Sequence, residues 1–418
     1  MYHISFRSVN LDERKLYFYN FCGVIMENIS TKNNEMLSVI MLSLVLALRQ
    51  MAMTIVSPFI SVYSKSLLYN TPLLAGLALG IFGLTQAIFQ IPFGALSDKY
   101  GNKIMMLIGI LQVDIGLVVA FLAKNIYVFI FARALQGSGA ILGVGYSWVS
   151  SMVTKDKEIK ALSILGAFVS CAAALSFALG PIIHNFLPVN KMFLICALLI
   201  FVNWLYILLF LEDSKNYTNK IKNSFKENFK ILVKNKTFII LNKAAFCNNF
   251  MMMAVFYVLP IYLSNVTGIN GMWRIFIPSI IIAIIFMKKA IMYIKKYGSN
   301  IILAAAFAVS SLSIFFYFQK TSYIFLLLGT IFFFCGYMCL TTILATNVNN
   351  IVKDDLRGTA NGIFNSFQYI GSFAGSIAAG ALWGFSQRIT LILTIFIGLG
   401  GIFTIIFSKS NIKEEGKL

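Results

Sequence analysis

The sequence predicts an all-α membrane protein with twelve transmembrane helices in two bundles of six, and with both termini in the cytoplasm. Three observations lead to this prediction: the share of apolar residues, the number of long apolar runs and the placement of the basic residues. Of the 418 residues, 59% are apolar and 12% are charged, whereas about 25% of the residues of a soluble domain are charged. A chain this apolar lacks the polar surface that a soluble protein needs, so soluble enzymes are excluded.

Twelve apolar runs divide the chain, and each is long enough to cross a bilayer, which takes about 20 residues per helix. The runs are too long for barrel strands and lack a two-residue alternation, so they are predicted to be helices. The first six cover 37–62, 72–94, 104–123, 127–150, 161–183 and 192–211. The other six cover 238–263, 272–290, 301–318, 322–345, 359–384 and 389–408.

The basic residues lie mainly on one side of these spans. With the amino terminus inside, the cytoplasmic segments receive 25 of the 34 Lys and Arg, the outer segments receive six, and three fall within spans: Arg49, Arg133 and Lys243. This asymmetry predicts the orientation. The net charge of +19 is thereby assigned to orientation and to contact with the lipid bilayer, and no nucleic-acid partner is expected.

The polar segments predict the domain organisation. We expect a cytoplasmic tail (1–35), an N-terminal bundle (36–211), a cytoplasmic linker (212–236), a C-terminal bundle (237–408) and a second cytoplasmic tail (409–418). Residues 1–25 are expected to be either a tail or an over-extended gene start, because Met26 begins an ordinary amino-terminal sequence; no signal-peptide pattern precedes it. The tripeptide Lys-Tyr-Gly follows both the second and the eighth span, which favours two repeated bundles around a site at the membrane midplane, a common transporter plan.

The tight turn between the second and third spans, GALSDKYGNK at 94–103, is the first functional motif. Glycine permits close helix approach or a positive φ, and an aspartate can accept hydrogen bonds from a helix amino terminus. The turn resembles the signature loop of the major facilitator superfamily, although Asn102 replaces a usual base. The resemblance implies a gate in which Asp98 docks on the start of the eleventh helix, near Gly358 and Thr359. The predicted gating residues are Gly94, Asp98, Lys99, Gly101 and Lys103.

Three further motifs extend the resemblance over nearly the whole chain. The fourth span carries Arg133-Ala-Leu-Gln136-Gly-Ser-Gly139, which is similar to the superfamily's helix-4 motif; Arg133 could alternatively snorkel outward. The fifth span resembles the antiporter motif of the drug:proton branch, and Pro181 is expected to open its backbone near the outer end. The start of the eleventh span, RGTANG at 357–362, also resembles that branch. The fifth-span residues that carry the match are Gly166, Ser176, Gly180 and Pro181, with Ser176 replacing a usual glycine and His184-Asn185 replacing the closing glycine pair.

Polar residues within the spans are the candidates for a substrate and proton pathway, because a charge in hydrocarbon must be neutral, paired or facing water. Arg49 lies near mid-depth in the first span. Asp114, near the middle of the third span, is the one acid far from both ends of a span; it could carry a proton, form a permanent structural pair or face lipid. The predicted pathway residues are Arg49, Asp114, Arg133, Gln136, Asn248, Asn249 and Gln368, with Gln86, Gln90, Tyr257 and Asn365 as further cavity candidates.

The function predicted from these motifs is secondary active transport across the plasma (inner) membrane by a multi-pass monomer. The resemblance implies proton-coupled export of a small organic compound by alternating access. The surplus of intramembrane bases leaves anionic or neutral substrates open. The alternatives are an importer or facilitator of a nutrient or organic anion, and a non-transporting membrane receptor. No enzyme, channel, metal or cofactor motif is found, the six cysteines show no metal-ligand spacing, and the proton gradient is the expected energy source.

Overall fold

The computed structural model of the chain describes residues 34–212, 225–353 and 356–407. Within these ranges the chain is helical and contains no strand beyond an isolated bridge between Leu68 and Asn125. Residues 1–25, whose interpretation is given above, lie outside the described residues. The second tail and most of the linker lie outside them as well. We call the side of the membrane predicted to be cytoplasmic the inner side, and the opposite side the outer side.

Twelve long helices follow one another, as the apolar runs predict. The first six are α1 (Asn34–Ile55), α2 (Pro72–Tyr100), α3 (Asn102–Leu122), α4 in two segments called α4a (Ile126–Ser138) and α4b (Leu142–Met152), α5 (Lys155–His184) and α6 (Val189–Phe210). The second six are α7 (Lys236–Val266), α8 (Trp273–Tyr297), α9 (Ser299–Phe316), α10 (Tyr323–Ile351), α11 (Arg357–Trp383) and α12 (Gln387–Ile406). A short linker helix (Phe225–Lys234) precedes α7.

Eleven of these helices are long and apolar enough to span a membrane by hydropathy alone within the described ranges, and α11 is the helix that is not. Its 27 residues include many Gly, Ser and Asn, which lower the mean hydropathy. α11 packs along both α2 and α7, so much of its surface contacts helices rather than lipid. Small residues at such interfaces allow close helix packing.

The helices differ from the predicted spans in three places. α1 ends at Ile55, and the chain continues to Ser66 in short helical turns that begin next to Pro58. α4 was predicted as one helix over 127–150, but the helix is interrupted between Ser138 and Leu142. Gly139 leaves helical geometry there with φ −73° and ψ 61°. The interruption allows α3 to approach, because a Cβ at this glycine would overlap the carbonyl oxygen of Gly109.

The third difference concerns α5, which continues through Pro181 to His184 rather than opening at the proline. The repeated Lys-Tyr-Gly tripeptides end equivalent helices: Gly101 follows the last residue of α2 with φ 98°, and Gly298 follows the last residue of α8 with φ 83°. Only glycine adopts this region readily. The two tight turns therefore support the predicted repeat of two six-helix halves.

Each half forms its own bundle. In the first half, α1 packs on α5, α2 on α4a, and α3 on α6 and α4a; in the second, α10 packs on α8 and α9, and α12 on α7 and α9. The halves meet mainly along α2 and α11, with smaller contacts between α5 and α8 and between the end of α1 and α7. This interface is called the seam below.

Candidate functional site at the seam between the halves

The outer half of the seam is tightly closed by glycines. A Cβ at Gly76 would overlap the carbonyl oxygen of Ser376 and lie 3.0 Å from the Cα of Gly380, and a Cβ at Gly83 would lie 2.9 Å from the carbonyl oxygen of Tyr369. These neighbours are backbone atoms of α11, so no side-chain rotation would relieve the overlap. α2 and α11 are thus in backbone contact from the outer end to about mid-depth.

Aromatic residues complete the outer closure. The Tyr257 hydroxyl of α7 donates a hydrogen bond of 3.0 Å to the carbonyl oxygen of Pro72 at the start of α2. On the other side, Phe177 of α5 packs against Phe256 of α7 and Phe334 of α10, with ring centroids 5.0 and 6.1 Å apart. The two halves therefore contact each other on both flanks of the outer seam.

The inner half of the seam is open at the glycines that line it. A Cβ at any of four such positions would meet no atom within 4 Å: Gly94, Gly143, Gly358 and Gly362. The first two belong to the first half and the last two to the start of α11. Over the described residues, the glycine contacts between the halves are therefore confined to the outer part of the seam.

A polar cluster lies at mid-depth, where the closed part of the seam ends. Arg49 of α1 is fully buried, and its Nη2 donates a hydrogen bond of 3.1 Å to the carbonyl oxygen of Gly139, at the break in α4. Its Nε and Nη1 have no hydrogen-bond partner. Gln86 of α2 donates a hydrogen bond of 2.9 Å to the Tyr369 hydroxyl of α11. Tyr369 lies near Arg49 and Tyr146, and its hydrogen bond with Gln86 joins the two halves at this cluster.

Arg133 and Gln136 lie apart from this cluster and hold α4a in place. The guanidinium of Arg133 donates a 2.6 Å hydrogen bond to Gln136 Oε1, and Gln136 Nε2 donates a 2.9 Å hydrogen bond to the carbonyl oxygen of Gly116 in α3. The Arg133 Cζ also lies 4.9 Å from the ring centroid of Phe82 in α2. Both side chains are buried, so Arg133 does not snorkel outward. These contacts account for the residues through packing, and a pathway role for them stays a prediction.

Asp114 is buried in α3, and its Oδ1 has no hydrogen-bond partner. It forms no hydrogen bond or ion pair with Arg49 or Arg133 within the described part of the chain. The structural-pair alternative with either of these arginines therefore has no support in the geometry. The group is an unpaired carboxyl inside the first bundle, which α3 shares with α4a and α6.

The predicted pathway residues of the second half are not brought together with Arg49. Asn248 donates a 3.1 Å hydrogen bond to Thr341 of α10, whereas Asn249 donates back to Ala245 in its own helix. Gln368 is half-buried, and its neighbour Tyr369 is the residue that reaches the cluster. Tyr369 could not be chosen from the sequence, because adjacent helical residues point about 100° apart and composition alone does not show the rotation of α11.

The α5 motif lies against α1 and α4b. Ser176 donates hydrogen bonds to Ala172 in α5, at 2.6 Å, and to Met51 in α1, at 3.3 Å. A Cβ at Gly180 would lie 2.5 Å from the carbonyl oxygen of Ile55, and one at Gly166 would lie 3.6 Å from the Tyr146 hydroxyl oxygen. Pro181 is buried in the same helix. The small face of α5 thus supports the helix that carries Arg49.

The gating loop lies at the inner end of α2. Gly101 supplies the positive φ, Lys103 donates a 3.0 Å hydrogen bond to the carbonyl oxygen of Leu208, and Lys99 lies over the Tyr100 ring at 5.0 Å. Asp98 is exposed, and its docking on α11 stays a prediction.

The linker helix contacts the start of α11, where Asn228 donates a 3.5 Å hydrogen bond to Thr359. This contact depends on tertiary packing and leaves no signal in the sequence.

Comparison with known proteins identifies the fold. A family profile described as Major Facilitator Superfamily matches residues 42–376. The chain belongs to the major facilitator superfamily. An uncharacterised transporter of Buchnera aphidicola is 31% identical over 89% of this chain and 95% of its own length. The inner membrane transport protein YajR of Escherichia coli is 27% identical over 82% and 76% of the two chains. The multi-drug resistance efflux pump PmrA of Streptococcus pneumoniae is 26% identical over 39% and 42%.

Solved structures of major facilitator transporters share the fold. The nucleoside transporter NupG superposes with a TM-score of 0.71, at 14% identity over 90% of this chain and 100% of its own. A bacterial homologue of the human lysosomal transporter Spinster, in an inward-facing and occupied conformation, superposes with a TM-score of 0.74, at 12% identity over 91% and 98%. The chain is therefore a multi-pass membrane transporter of the major facilitator superfamily, not an enzyme, and it is expected to bind a small molecule within the membrane.

Proposed function

We propose that this transporter exports a small organic compound bearing a negative charge, in exchange for protons, by alternating access across the inner membrane. The observation that carries the proposal is the one-sided seam with a buried, incompletely paired arginine at its midpoint. The resemblance of α5 and α11 to the drug:proton branch and the partial similarity to PmrA support export. The similarity to YajR, an inner membrane transport protein, supports a location in the inner membrane.

The substrate class follows from Arg49. A guanidinium keeps its proton in proteins, and a buried cation without a counter-charge costs several kcal/mol. Arg49 donates one hydrogen bond to a carbonyl oxygen and has two further nitrogens without partners. A carboxylate or phosphate would supply both the charge and the acceptors, and Arg binds such groups with two parallel hydrogen bonds. The hydroxyls of Tyr146 and Tyr369 would contact the polar part of the same substrate.

The proton carrier in this proposal is Asp114. It is the carboxyl group nearest the middle of a described span, and it is bound in no ion pair with Arg49 or Arg133. Such a carboxyl can take up and release a proton without breaking a salt bridge. α3 packs on α4a, whose carboxyl-terminal end leads into the Gly139 break that Arg49 contacts. A change at Asp114 can therefore reach the arginine through one packed helix.

Alternating access would exchange the closed and open ends of the seam. The outer seam would separate along the α2–α11 glycine contact, while Gly94, Gly358 and Gly362, which face open space at the inner end, would come into contact. Rocking of one bundle against the other around a midplane site is the movement common to such folds. Asp98 would then stabilise the inner-closed state by accepting from the amino-terminal end of α11.

Proton release from energised inside-out vesicles tests the proposal. A panel of anionic, neutral and cationic aromatic amphiphiles would be added to wild type, Asp114→Asn and Arg49→Gln. We expect release with anionic compounds in wild type, and loss of release in both variants at equal protein abundance. Release that persists in Asp114→Asn removes that residue as carrier. A response to cationic compounds alone contradicts the substrate class, and silence across the panel favours the importer or receptor alternatives.

A further inference from the structure

A second feature lies away from the seam, on the outside of the second bundle. A groove of about 260 Å³ runs between α7, α11 and α12. α12 packs on α7, α9 and α11, which all belong to the second half, so the groove faces outward from the bundle and not into the seam. Its lining includes Lys243, Phe246, Phe367, Phe396, Gly400 and Thr404.

The groove is polar at one end and aromatic at the other. Lys243 is seven residues from the start of α7, roughly 10 Å along the helix axis. Thr404 lies two residues before the end of α12 at Ile406, so it is at the inner membrane surface. Phe396 lies at the aromatic end of the groove, roughly 12 Å further into the membrane than Thr404 along the same helix. Thr404 thus lies at headgroup depth and Lys243 lies below it within reach of the headgroups, whereas Phe396 lies at the depth of the acyl chains.

The side chains at both ends are accessible from the bilayer. Lys243 is exposed, and Phe396 is 64% exposed. The side chain of a helical residue leans toward the helix amino terminus, which in α7 is the inner end, so the Lys243 ammonium points toward the headgroups. Gly400 forms an open floor, because a Cβ there would meet no atom within 4 Å.

We propose that this groove binds one anionic phospholipid of the cytoplasmic leaflet. Its phosphate would lie at the Lys243 ammonium, with one acyl chain against Phe246, Phe367 and Phe396. The Thr404 hydroxyl, which donates a hydrogen bond to the carbonyl oxygen of Gly400, would line the polar end of the groove. A lysine below the membrane surface needs an anionic partner, and its ammonium binds phosphate as a point charge. A small soluble anion would leave the aromatic part of the groove uncovered, whereas a phospholipid matches both ends.

Lipid retention by the purified full-length chain tests this site. Native mass spectrometry would count bound phosphatidylglycerol and phosphatidylcholine in wild type, Lys243→Gln, Gly400→Leu and Lys288→Gln. The last variant removes an exposed lysine from the inner part of α8, outside the groove, and is the matched control for charge.

Wild type is expected to retain phosphatidylglycerol over phosphatidylcholine. Lys243→Gln should reduce this preference about fivefold, the effect of one Lys near an anionic surface, and Lys288→Gln should leave it unchanged. Gly400→Leu should reduce retention of both lipids by filling the groove, with an unchanged melting temperature because the added side chain meets open space. Equal retention of the two lipids by wild type, an equal loss in Lys288→Gln, or full retention in Gly400→Leu would overturn the proposal.

Discussion

Replacing Gly76 by valine should force the outer seam open. In the closed seam, a Cβ at this position overlaps the backbone of Ser376 and lies 3.0 Å from the Cα of Gly380. Overpacking of this kind costs about 1–3 kcal/mol, and here the two helices must separate because neither neighbour is a side chain. The helix-propensity cost of valine applies equally to the open and closed states, so it does not change their ratio.

The magnitude follows from these values. A penalty of about 1–3 kcal/mol on the closed state alone raises the ratio of outer-open to outer-closed molecules by about 5-fold to 150-fold. Ser376→Cys provides the reporter, because Ser376 is fully buried in the seam and cysteine is close to it in size. The assay is the rate at which a membrane-impermeant maleimide labels this cysteine from outside, in a background without the six native cysteines.

Gly362→Val is the control, since this glycine lies in α11, the same helix as the Ser376 reporter and the partner of α2 at the seam, but faces open space at the inner end. It should leave the labelling rate from outside unchanged or lower it. The reasoning would be refuted if Gly76→Val labelled at the wild-type rate while remaining folded, or if both glycine variants raised the rate equally. Either result would mean that the glycine contact does not determine the closure of the outer seam.

Two further changes test the gate and the first bundle. Asp98→Asn should slow transport about two- to fivefold, because a carboxylate at a helix amino terminus contributes roughly 0.3–1 kcal/mol, with membrane abundance unchanged by immunoblot; normal flux would remove Asp98 from the gate. Gln136→Ala should lower stability by about 1–3 kcal/mol, because it removes the acceptor of the buried Arg133 guanidinium and the side-chain hydrogen bond to the Gly116 carbonyl, and thermal unfolding in detergent would show a lower melting temperature. Gln90→Ala, at a buried glutamine whose Oε1 already has no partner, should have a smaller effect, and equal shifts in the two variants would contradict this explanation.

The sequence predicts the helices well because each bundle is built from long apolar runs. An apolar run of about 20 residues in a bilayer is a transmembrane helix. α11 shows where hydropathy is weaker, since its small and polar residues pack on α2 and α7 and not on lipid. The interruption of α4 at Gly139 was not predicted, because the glycines of the RALQGSG motif are also typical of a continuous helix that packs closely on its neighbours. Its cause is tertiary: α3 approaches there, and Arg49 donates to the carbonyl oxygen of Gly139.

The candidate site could be predicted only in part. Charged residues inside apolar runs are visible in any sequence, so Arg49 and Asp114 could be chosen as candidates; the structure buries both, and their roles in transport stay predictions. Which polar neutral residues lie near Arg49 depends on the rotation of each helix and on which helices meet, so Gln368 was chosen where Tyr369 makes the contact. Asn248 and Asn249 were grouped by proximity in the chain, but they form hydrogen bonds to different helices. Pairing between the two halves is non-local and leaves no periodic signal.

The most direct test of the account is the pair of distances across the two ends of the seam. Spin labels at Tyr69 and Phe385 report the outer end, and labels at Tyr100 and Lys353 report the inner end, all at exposed positions. Double electron–electron resonance in lipid nanodiscs should show that a short outer distance accompanies a long inner one, and that Gly76→Val shifts molecules to the reverse arrangement. Outer and inner distances that lengthen together, or that do not change in any condition, would contradict alternating access at this seam.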